Sequence, residues 1–295
     1  MSAHALLSPS SRHRWQLCPG SVREEGRYPE GGSSSPAAID GTHTHTLLEY
    51  CVKRLMQGLD GTASAFVGIT LQDHEGEFTV DAARAERVEF AMQYIRSRAA
   101  SLGAAIKSEE QVNPKLMTGR DDMTGTVDVQ LMSQDVLEVI DYKDGMGVVD
   151  AAGNPQLEQY GLGAVAPFFV NGKPSFKTIR MTIIQPKLRE IGRIGIDCVD
   201  LTLEQFLTDV TRIVEEAKAT DDPNASLVPG EKQCRYCAHA GNCKARTAEM
   251  FSKAGLSFPA VGTPLEQAAE LSPNDLSDQK LREIVEALPM LRQWL

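Results

Sequence analysis

The sequence lacks the features that mark membrane-spanning and secreted proteins. No stretch approaches the roughly 20 apolar residues that a helix needs to cross a bilayer. The N-terminus has no basic segment followed by a long apolar core, which is the pattern of a secretory signal. Cysteine is scarce, at six of 295 residues, and such usage favours metal or redox chemistry over a disulfide framework. We therefore expect a cytoplasmic protein without a membrane partner.

The sequence also lacks an excess of positive charge. Its 30 lysines and arginines are outnumbered by 40 aspartates and glutamates, which gives a net charge of −10. Because phosphate binding is largely electrostatic, this balance argues against a general nucleic-acid-binding protein. A nuclease remains compatible with it, since a nuclease needs only a local basic track and its acidic metal site adds negative charge. The balance predicts weak, salt-sensitive affinity for non-specific DNA.

Apolar periodicity predicts an alternation of helices and strands. The predicted helices cover residues 42–57, 80–102 and 155–165, and a capping box of Thr202 and Gln205 begins another that ends near residue 220. The predicted strands cover residues 126–132, 136–143, 178–185 and 193–199, the first two as a β-hairpin. Together they predict an α/β core with a small mixed sheet flanked by helices. We place it in residues 1–250, with a linker and a C-terminal helix in residues 251–295.

Two carboxylates and a lysine are expected to meet on the hairpin. Asp141 and Lys143 are two residues apart on one strand and share a face, and Asp128 on the partner strand could join them there. Converging carboxylates repel each other unless a cation shares the site, and Mg²⁺ or Mn²⁺ prefers such oxygen ligands. A nearby lysine can then serve the water that attacks a phosphodiester. A solvated hairpin face is the alternative that these residues leave open.

Two further pairs of residues stand four apart on predicted helices. His45 precedes Glu49, and Gln156 precedes Tyr160 directly after the lysine strand. Residues at this spacing share one face of a helix. Taken alone, each pair is also what an ordinary amphipathic helix contains.

In their order along the chain, these residues resemble the RecB-like branch of the PD-(D/E)XK nuclease superfamily, over roughly residues 4–250. The family motifs G-x-x-x-H, G-x-x-D, D/E-x-K and Q-x-x-x-Y match His45, Asp128, Asp141 with Lys143, and Gln156 with Tyr160. The resemblance implies a restriction-endonuclease-like core. It also implies that His45 and both acids bind the metal, that Lys143 assists the water, and that Gln156 and Tyr160 lie near the DNA strand.

Two positions complete the comparison with that branch. Glu110 matches an additional family acid upstream of the G-x-x-D strand, and the resemblance implies that it is a further metal ligand. The proline that usually precedes the first acid is replaced by Val127, a departure that this branch tolerates.

The cysteines form a second candidate site. Cys234, Cys237 and Cys243 lie within ten residues, and Cys18 is a distant fourth candidate. One N-terminal cysteine with three C-terminal ones resembles the iron–sulfur nucleases of the same branch, which implies a [4Fe–4S] cluster that joins the N- and C-terminal parts. A Zn²⁺ site that includes His239 is the alternative, and unligated thiols are a third.

The segments around the lysine strand resemble one group of these nucleases in particular. The runs Asp141-Tyr142-Lys143-Asp144-Gly145 and Asn154-Pro155-Gln156-Leu157 are similar to those of a phage- and prophage-encoded group found among replication and recombination genes. This resemblance implies a Mg²⁺- or Mn²⁺-dependent exonuclease that hydrolyses DNA in the cytoplasm of a bacterial host. It implies a phage single-strand annealing or binding protein as partner. The alternative is a non-catalytic DNA-binding or assembly module on a nuclease-like fold.

Overall fold

The computed structural model describes residues 5–28, 35–170, 172, 174–249 and 277–294. The chain divides into two compact units, which we call unit 1 (Met1–Arg12 with Glu30–Val214) and unit 2 (His13–Pro29 with Glu215–Leu295). Over the described ranges, no helix is both long and apolar enough to cross a membrane. The predicted boundary at residue 250 and the linker after it lie outside the described residues, so both stay predictions.

Unit 1 is built on a five-stranded mixed sheet. Its order is β3–β4–β5–β6–β7, in which β5 and β6 are parallel and the other neighbours are antiparallel. A separate hairpin pairs β1 with β2. The strands are β1 (Thr70–Asp73), β2 (Gly76–Thr79), β3 (Ala105–Val112), β4 (Gly125–Met132), β5 (Val136–Tyr142), β6 (Thr178–Ile184) and β7 (Ile196–Thr202). The parallel pair requires a crossover connection, which a helix supplies.

Several of the described helices begin where a side chain caps them. Ser35, Asp81 and Asn154 each accept a backbone N–H in the first turn of the helix that follows. The helices are α1 (Arg12–Trp15), α2 (Gly20–Glu25), α3 (Pro36–Met56), α4 (Ala82–Leu102), α5 (Lys115–Thr118), α6 (Pro155–Val165), α7 (Leu203–Thr208), α8 (Val210–Ala219), α9 (Glu231–Cys234) and α10 (Asp278–Trp294). The crossover between β5 and β6 runs through α6.

Helices flank both faces of the sheet. On one face, α3 and α4 bury Leu47, Val88 and Ile95 against Ile140 and Tyr142 of β5. Since side chains alternate along a strand, the residues between these on β5 face the other side, where α6 packs. The expectation of a mixed α/β core with a sheet flanked by helices is therefore confirmed.

The sequence-based elements differ from the structure in several places, and strand β7, for example, covers Ile196–Thr202 where residues 193–199 were predicted. Strand β3 and the β1–β2 hairpin were not predicted, because β3 is an edge strand whose charged residues hide its alternation. Helix α3 begins at Pro36, since Ser35 caps it and proline suits a first turn. The helix expected after Thr202 has its capping box, but it is divided into α7 and α8 at Asp209.

Candidate functional site

The end of β5 and the start of α6 hold an acid, an amine and an amide in one hydrogen-bonded set. Asp141 is buried on β5, and the backbone N–H of Lys143 donates to the carbonyl of Ile184 at 2.9 Å, which extends the strand alignment past Tyr142. Lys143 Nζ donates to Asp141 Oδ1 at 3.2 Å and to Gln156 Oε1 at 2.9 Å. Gln156 Nε2 donates back to Asp141 Oδ1 at 3.0 Å. The amide of Gln156 thus fixes both charged groups.

Local contacts explain why Gln156 stands there. Asn154 Oδ1 accepts the backbone N–H groups of Gln156 at 3.0 Å and Leu157 at 3.2 Å, which caps α6. Pro155 occupies the first helical position, where a missing N–H has no cost. The fully buried Arg12 donates from Nη1 to the Pro155 carbonyl at 2.9 Å. Asn154 and Arg12 therefore both fix the first turn of α6, the former through the N–H groups of that turn and the latter through a carbonyl.

Tyr160 extends the set by one helical turn. Its hydroxyl lies 3.1 Å from Gln156 Nε2, which donates to it. Burial, followed by the nearby charge of Asp141, raises the pKa of Tyr160 above its usual range, so the phenol stays protonated. Gly125 on β4 makes room for this ring, because a Cβ there would lie 2.9 Å from Tyr160 Cε1 and 2.5 Å from Pro9 Cγ.

We expect Gly125→Ala to destabilise unit 1 and to displace Tyr160. Overpacking of this kind costs about 1–3 kcal/mol, because the ring and the proline must both move. Chemical denaturation of the variant measures the loss. Gly145→Ala is the matched control, since a Cβ at Gly145 meets nothing within 4 Å. Equal stability of the two variants would contradict the close packing at Gly125.

Asp128 and His45 form the second part of the site. Asp128 Oδ2 accepts the backbone N–H of Tyr142 at 2.7 Å and lies 3.6 Å from His45 Nδ1. Burial alone lowers the pKa of His45, but Asp128 and then Asp141 raise it to about 9. Burial raises the pKa of Asp128, yet His45 and the Tyr142 N–H bring it below its usual range. The two side chains therefore carry opposite charges at neutral pH.

Glu110 does not join these residues. Its side chain is 45% exposed, and its carboxylate contacts Lys107 Nζ at 3.0 Å. The preceding residue, Glu109, lies opposite Asp128 in the β3–β4 register, because the pairs on either side of it are aligned. Neighbouring residues on a strand point to opposite faces, so only one of two adjacent glutamates can reach the site. The structure places Glu109, and not Glu110, among the acids.

Glu109 has an unusual backbone as well as an unusual position. Its φ of 50° lies in the left-handed region, and no other non-glycine residue in the described part of the chain has a positive φ. Such conformations are held against strain by their surroundings, often at functional sites. Burial, then Asp128 and Glu49, raise the pKa of Glu109 to about 8. Its carboxyl group is thus crowded by like charge.

The donor chemistry of this site fits a hard divalent cation. No three His, Cys, Asp or Glu side chains among the described residues are already arranged to hold a metal ion. However, burial raises the pKa of Asp141, which Lys143 only partly offsets, and its Oδ2 lies 2.9 Å from Lys143 Nζ without accepting a hydrogen bond. A cation shared by Asp141, Asp128 and Glu109 would relieve the like-charge repulsion that helps to raise the pKa values of Asp141 and Glu109.

In unit 2, the charges of Cys234 and Cys243 act on Cys18 and that of Cys234 acts on Cys237, although no three of the described cysteines are already arranged to hold a metal ion. The sulfurs of Cys18, Cys234 and Cys243 accept backbone N–H groups at 3.2, 3.4 and 3.4 Å, and Cys237 accepts one as well. Burial raises the pKa of Cys18, and the charges of Cys234 and Cys243 raise it further. Burial likewise raises the pKa of Cys237 to about 11. None of the six cysteines forms a disulfide.

Cys18 reaches this group through a close approach of two distant segments. The backbone N–H of Gly20 donates to the Ser226 carbonyl at 3.0 Å, and a Cβ at Gly20 would lie 2.5 Å from the Ala225 carbonyl oxygen. His239 has other partners, because its Nδ1 lies 3.0 Å from the Tyr28 hydroxyl. The candidate ligands in unit 2 are therefore the four cysteine thiols, without His239.

Comparisons with known proteins yield one family and two distant structural likenesses. The family described as "Protein of unknown function (DUF2800)" matches residues 4–295. "Crystal structure of SSO0001" is 16% identical and covers 83% of this chain and 89% of that one, with a TM-score of 0.42. "Crystal Structure of LHK-Exo in complex with dAMP" is 8% identical and covers 72% and 90%, with a TM-score of 0.29. At these TM-scores, neither likeness indicates a function for this chain.

Proposed function

The chain belongs to the DUF2800 family, whose description assigns it no chemistry, and from its site we propose that this protein is a metal-dependent deoxyribonuclease. The observation that carries the proposal is the grouping of the buried Asp141 with the half-buried Asp128 and Glu109 beside Lys143. Grouping three acids costs stability unless a cation compensates them. An ammonium group next to a divalent cation is suited to a reaction in which negative charge develops on phosphate.

Glu109, Asp128 and Asp141, with His45 once it has lost its proton, are the residues that would hold Mg²⁺ or Mn²⁺. When bound, the ion lowers the pKa of a water molecule and stabilises charge on the phosphate that is attacked. In the protein without the ion, His45 and the Tyr142 N–H lower the pKa of Asp128 and so keep it ionised, and Asp141 is buried. Burial strengthens each interaction with the ion and the phosphate.

Lys143 acts as a hydrogen-bond donor in this proposal. Burial lowers its pKa, but Asp141 raises it more, so the group stays protonated at neutral pH. A protonated ammonium cannot accept the proton of the water, but it can orient that water and stabilise the negative charge that develops on the phosphate. Gln156 holds Lys143 Nζ at 2.9 Å, and Tyr160 in turn contacts Gln156 on the side assigned to the DNA strand.

We expect Glu109→Gln to raise the Mn²⁺ concentration needed for half-maximal cleavage by about 10–100-fold. The substitution keeps the side-chain volume and removes one anionic oxygen ligand. Because the pKa of Glu109 is about 8, its carboxyl group is mostly neutral near pH 7 without metal, so the variant should fold about as stably as the wild type. Glu110→Gln is the matched control, since its carboxylate lies on the exposed face. A metal requirement that responds to Glu110→Gln and not to Glu109→Gln would reject this assignment.

For unit 2, we propose that Cys18, Cys234, Cys237 and Cys243 ligate a [4Fe–4S] cluster. Backbone N–H groups directed at the four sulfurs support this, because such bonds stabilise thiolate ligands. The engagement of His239 with Tyr28 disfavours the alternative Zn²⁺ site that would include this histidine. Iron, sulfide and zinc analysis of anaerobically purified protein distinguishes the cluster from Zn²⁺.

The resemblance to phage-encoded nucleases supports a finer proposal, an exonuclease of phage replication or recombination that works with a single-strand annealing or binding protein. Incubation with end-labelled linear DNA and with covalently closed circular DNA tests the mode of cleavage. Metal-dependent loss of linear DNA with circles spared is the result expected of an exonuclease. Cleavage of the circles would replace it with an endonuclease, and no cleavage of either would reject the nuclease.

A further inference from the structure

A buried polar network lies next to the candidate site and is not used by the proposed chemistry. Its centre is Asp144, the residue after Lys143, whose carboxylate is buried. Asp144 Oδ1 accepts from Arg87 Nε at 2.9 Å and from the Tyr142 hydroxyl at 3.1 Å. Its Oδ2 accepts from Arg87 Nη2 at 3.1 Å and lies 2.9 Å from Lys187 Nζ. Both oxygens are therefore fully engaged by the protein.

The network reaches α3 at the residue before His45. Arg87 Nη2 donates to Thr44 Oγ1 at 3.3 Å, and the Thr44 hydroxyl lies 3.3 Å from Asp144 Oδ2. That hydroxyl also lies 2.7 Å from the Asp40 carbonyl, so its single proton is shared between two acceptors. Arg87 on α4 consequently bridges the neighbour of His45 and the neighbour of Lys143.

This bridge helps to hold the first turns of α3, which contribute few residues to the apolar core. The buried residues of α3 are Thr44, Leu47, Leu48, Cys51 and Val52. The turns before Thr44 fully bury no apolar side chain, and polar contacts hold them together with the stacking of His43 on Phe78, whose ring centroids are 4.2 Å apart. Around them, Asp40 accepts from Arg84 at 2.7 Å and from Lys187 at 3.1 Å, which ties the same turns to α4 and to the 3-10 helix Pro186–Ile191.

A second connection runs through an aromatic ring. The Tyr142 ring meets the ring of His45 edge-on, with centroids 5.3 Å apart and planes at 90°. The same tyrosine donates its hydroxyl to Asp144 and its backbone N–H to Asp128. Asp144 is thereby linked to His45 both through Thr44 and through Tyr142.

We propose that Thr44, Arg87 and Asp144 form a clamp that positions His45 relative to Asp128, Asp141 and Lys143. The clamp residues are positioning residues, because they contact the neighbours of the site and not its reacting atoms. This inference rests on the proposed function, because it assumes that His45 is a metal ligand. Outer contacts of this kind typically change metal affinity or activity by about 10–100-fold.

Thr44→Val is the variant that tests the clamp. It keeps the shape of the side chain but removes the hydroxyl that contacts Arg87 and Asp144. Replacing Arg87 or Asp144 would leave a buried charge without its partner, which strongly destabilises proteins. Thr44→Ser restores a hydroxyl, and Thr42→Val is the matched control, because Thr42 Oγ1 donates within α3 to the Ala38 carbonyl.

Two measurements are made on the full chain, Mn²⁺ binding without DNA by calorimetry and amide hydrogen exchange over residues 36–46. Thr44→Val should weaken Mn²⁺ binding about tenfold and speed exchange in this segment, while Thr44→Ser and Thr42→Val stay near wild type. Wild-type behaviour of Thr44→Val in both measurements would overturn the clamp. If the wild type binds no Mn²⁺, the proposed function fails, and the exchange result alone decides on the clamp.

Discussion

Lys143→Ala is expected to slow DNA cleavage by about 10³-fold or more, to the limit of detection. Lys143 Nζ donates to Asp141 and to Gln156, and it is the one ammonium group in this hydrogen-bonded set of the described residues. Loss of a single donor that stabilises developing charge costs roughly 10²–10³-fold, and loss of a full charge costs at least that. Single-turnover cleavage of linear DNA with saturating Mn²⁺ measures the effect on the chemical step.

The matched control is Lys107→Ala, which removes an exposed lysine from β3. Both variants should retain the wild-type circular dichroism spectrum and the wild-type metal content of the cysteine site, which lies in the other unit. Wild-type cleavage by Lys143→Ala would sink the proposed role of the ammonium group. A similar loss in both variants would show that general positive charge matters and not this position.

Cys18→Ser is expected to release the metal of the cysteine site and to unfold the cysteine-bearing part of unit 2. Serine can still accept the Val228 N–H but is a poor ligand for iron. Cys18 lies near one end of the sequence, whereas Cys234, Cys237 and Cys243 lie close to one another near the other end. A cross-link that closes such a long loop stabilises the folded state by roughly 3–5 kcal/mol. Iron and sulfide analysis with thermal denaturation measures both effects.

Cys198→Ser provides the comparison, because Cys198 is an exposed cysteine on β7 of unit 1. It should leave the metal content and the melting temperature unchanged. Full iron and sulfide in Cys18→Ser would remove this residue from the ligand set. Stoichiometric zinc in the wild type would instead replace the cluster with the Zn²⁺ alternative.

The parts of the site that are close in sequence could be predicted from the sequence. Asp141 and Lys143 share a strand face by their spacing, and Gln156 follows on the next helix, so local geometry is enough to bring them together. The roles assigned to these residues remain proposals. The spacing in the sequence predicts only that these three side chains lie close together.

The third acid could not be chosen from the sequence. Glu109 and Glu110 are adjacent, and which one faces Asp128 depends on the register of a strand that apolar periodicity does not reveal. The positive φ of Glu109 is likewise a product of tertiary structure, since glutamate has no intrinsic preference for it.

Long-range polar contacts were also beyond prediction. Thr44, Arg87 and Asp144 are far apart in the chain and belong to no common motif, so only the folded structure shows that they meet. The contact of Cys18 with the backbone of Val228 is of the same kind. The number of cysteines and the family resemblance predicted that the thiols would group. The sequence did not reveal the close packing at Gly20 that brings the Cys18 segment to the other cysteines.

We propose above all that Glu109, Asp128 and Asp141 of unit 1 bind a divalent cation and that the protein uses it to hydrolyse DNA. The most direct test compares wild type and Asp141→Asn, purified anaerobically, on end-labelled linear DNA with Mn²⁺ and with EDTA, while DNA binding is followed by fluorescence anisotropy. Our account predicts cleavage only by the wild type with Mn²⁺, with DNA binding retained by the variant. Equal cleavage by both proteins, or cleavage that persists in EDTA, would contradict it.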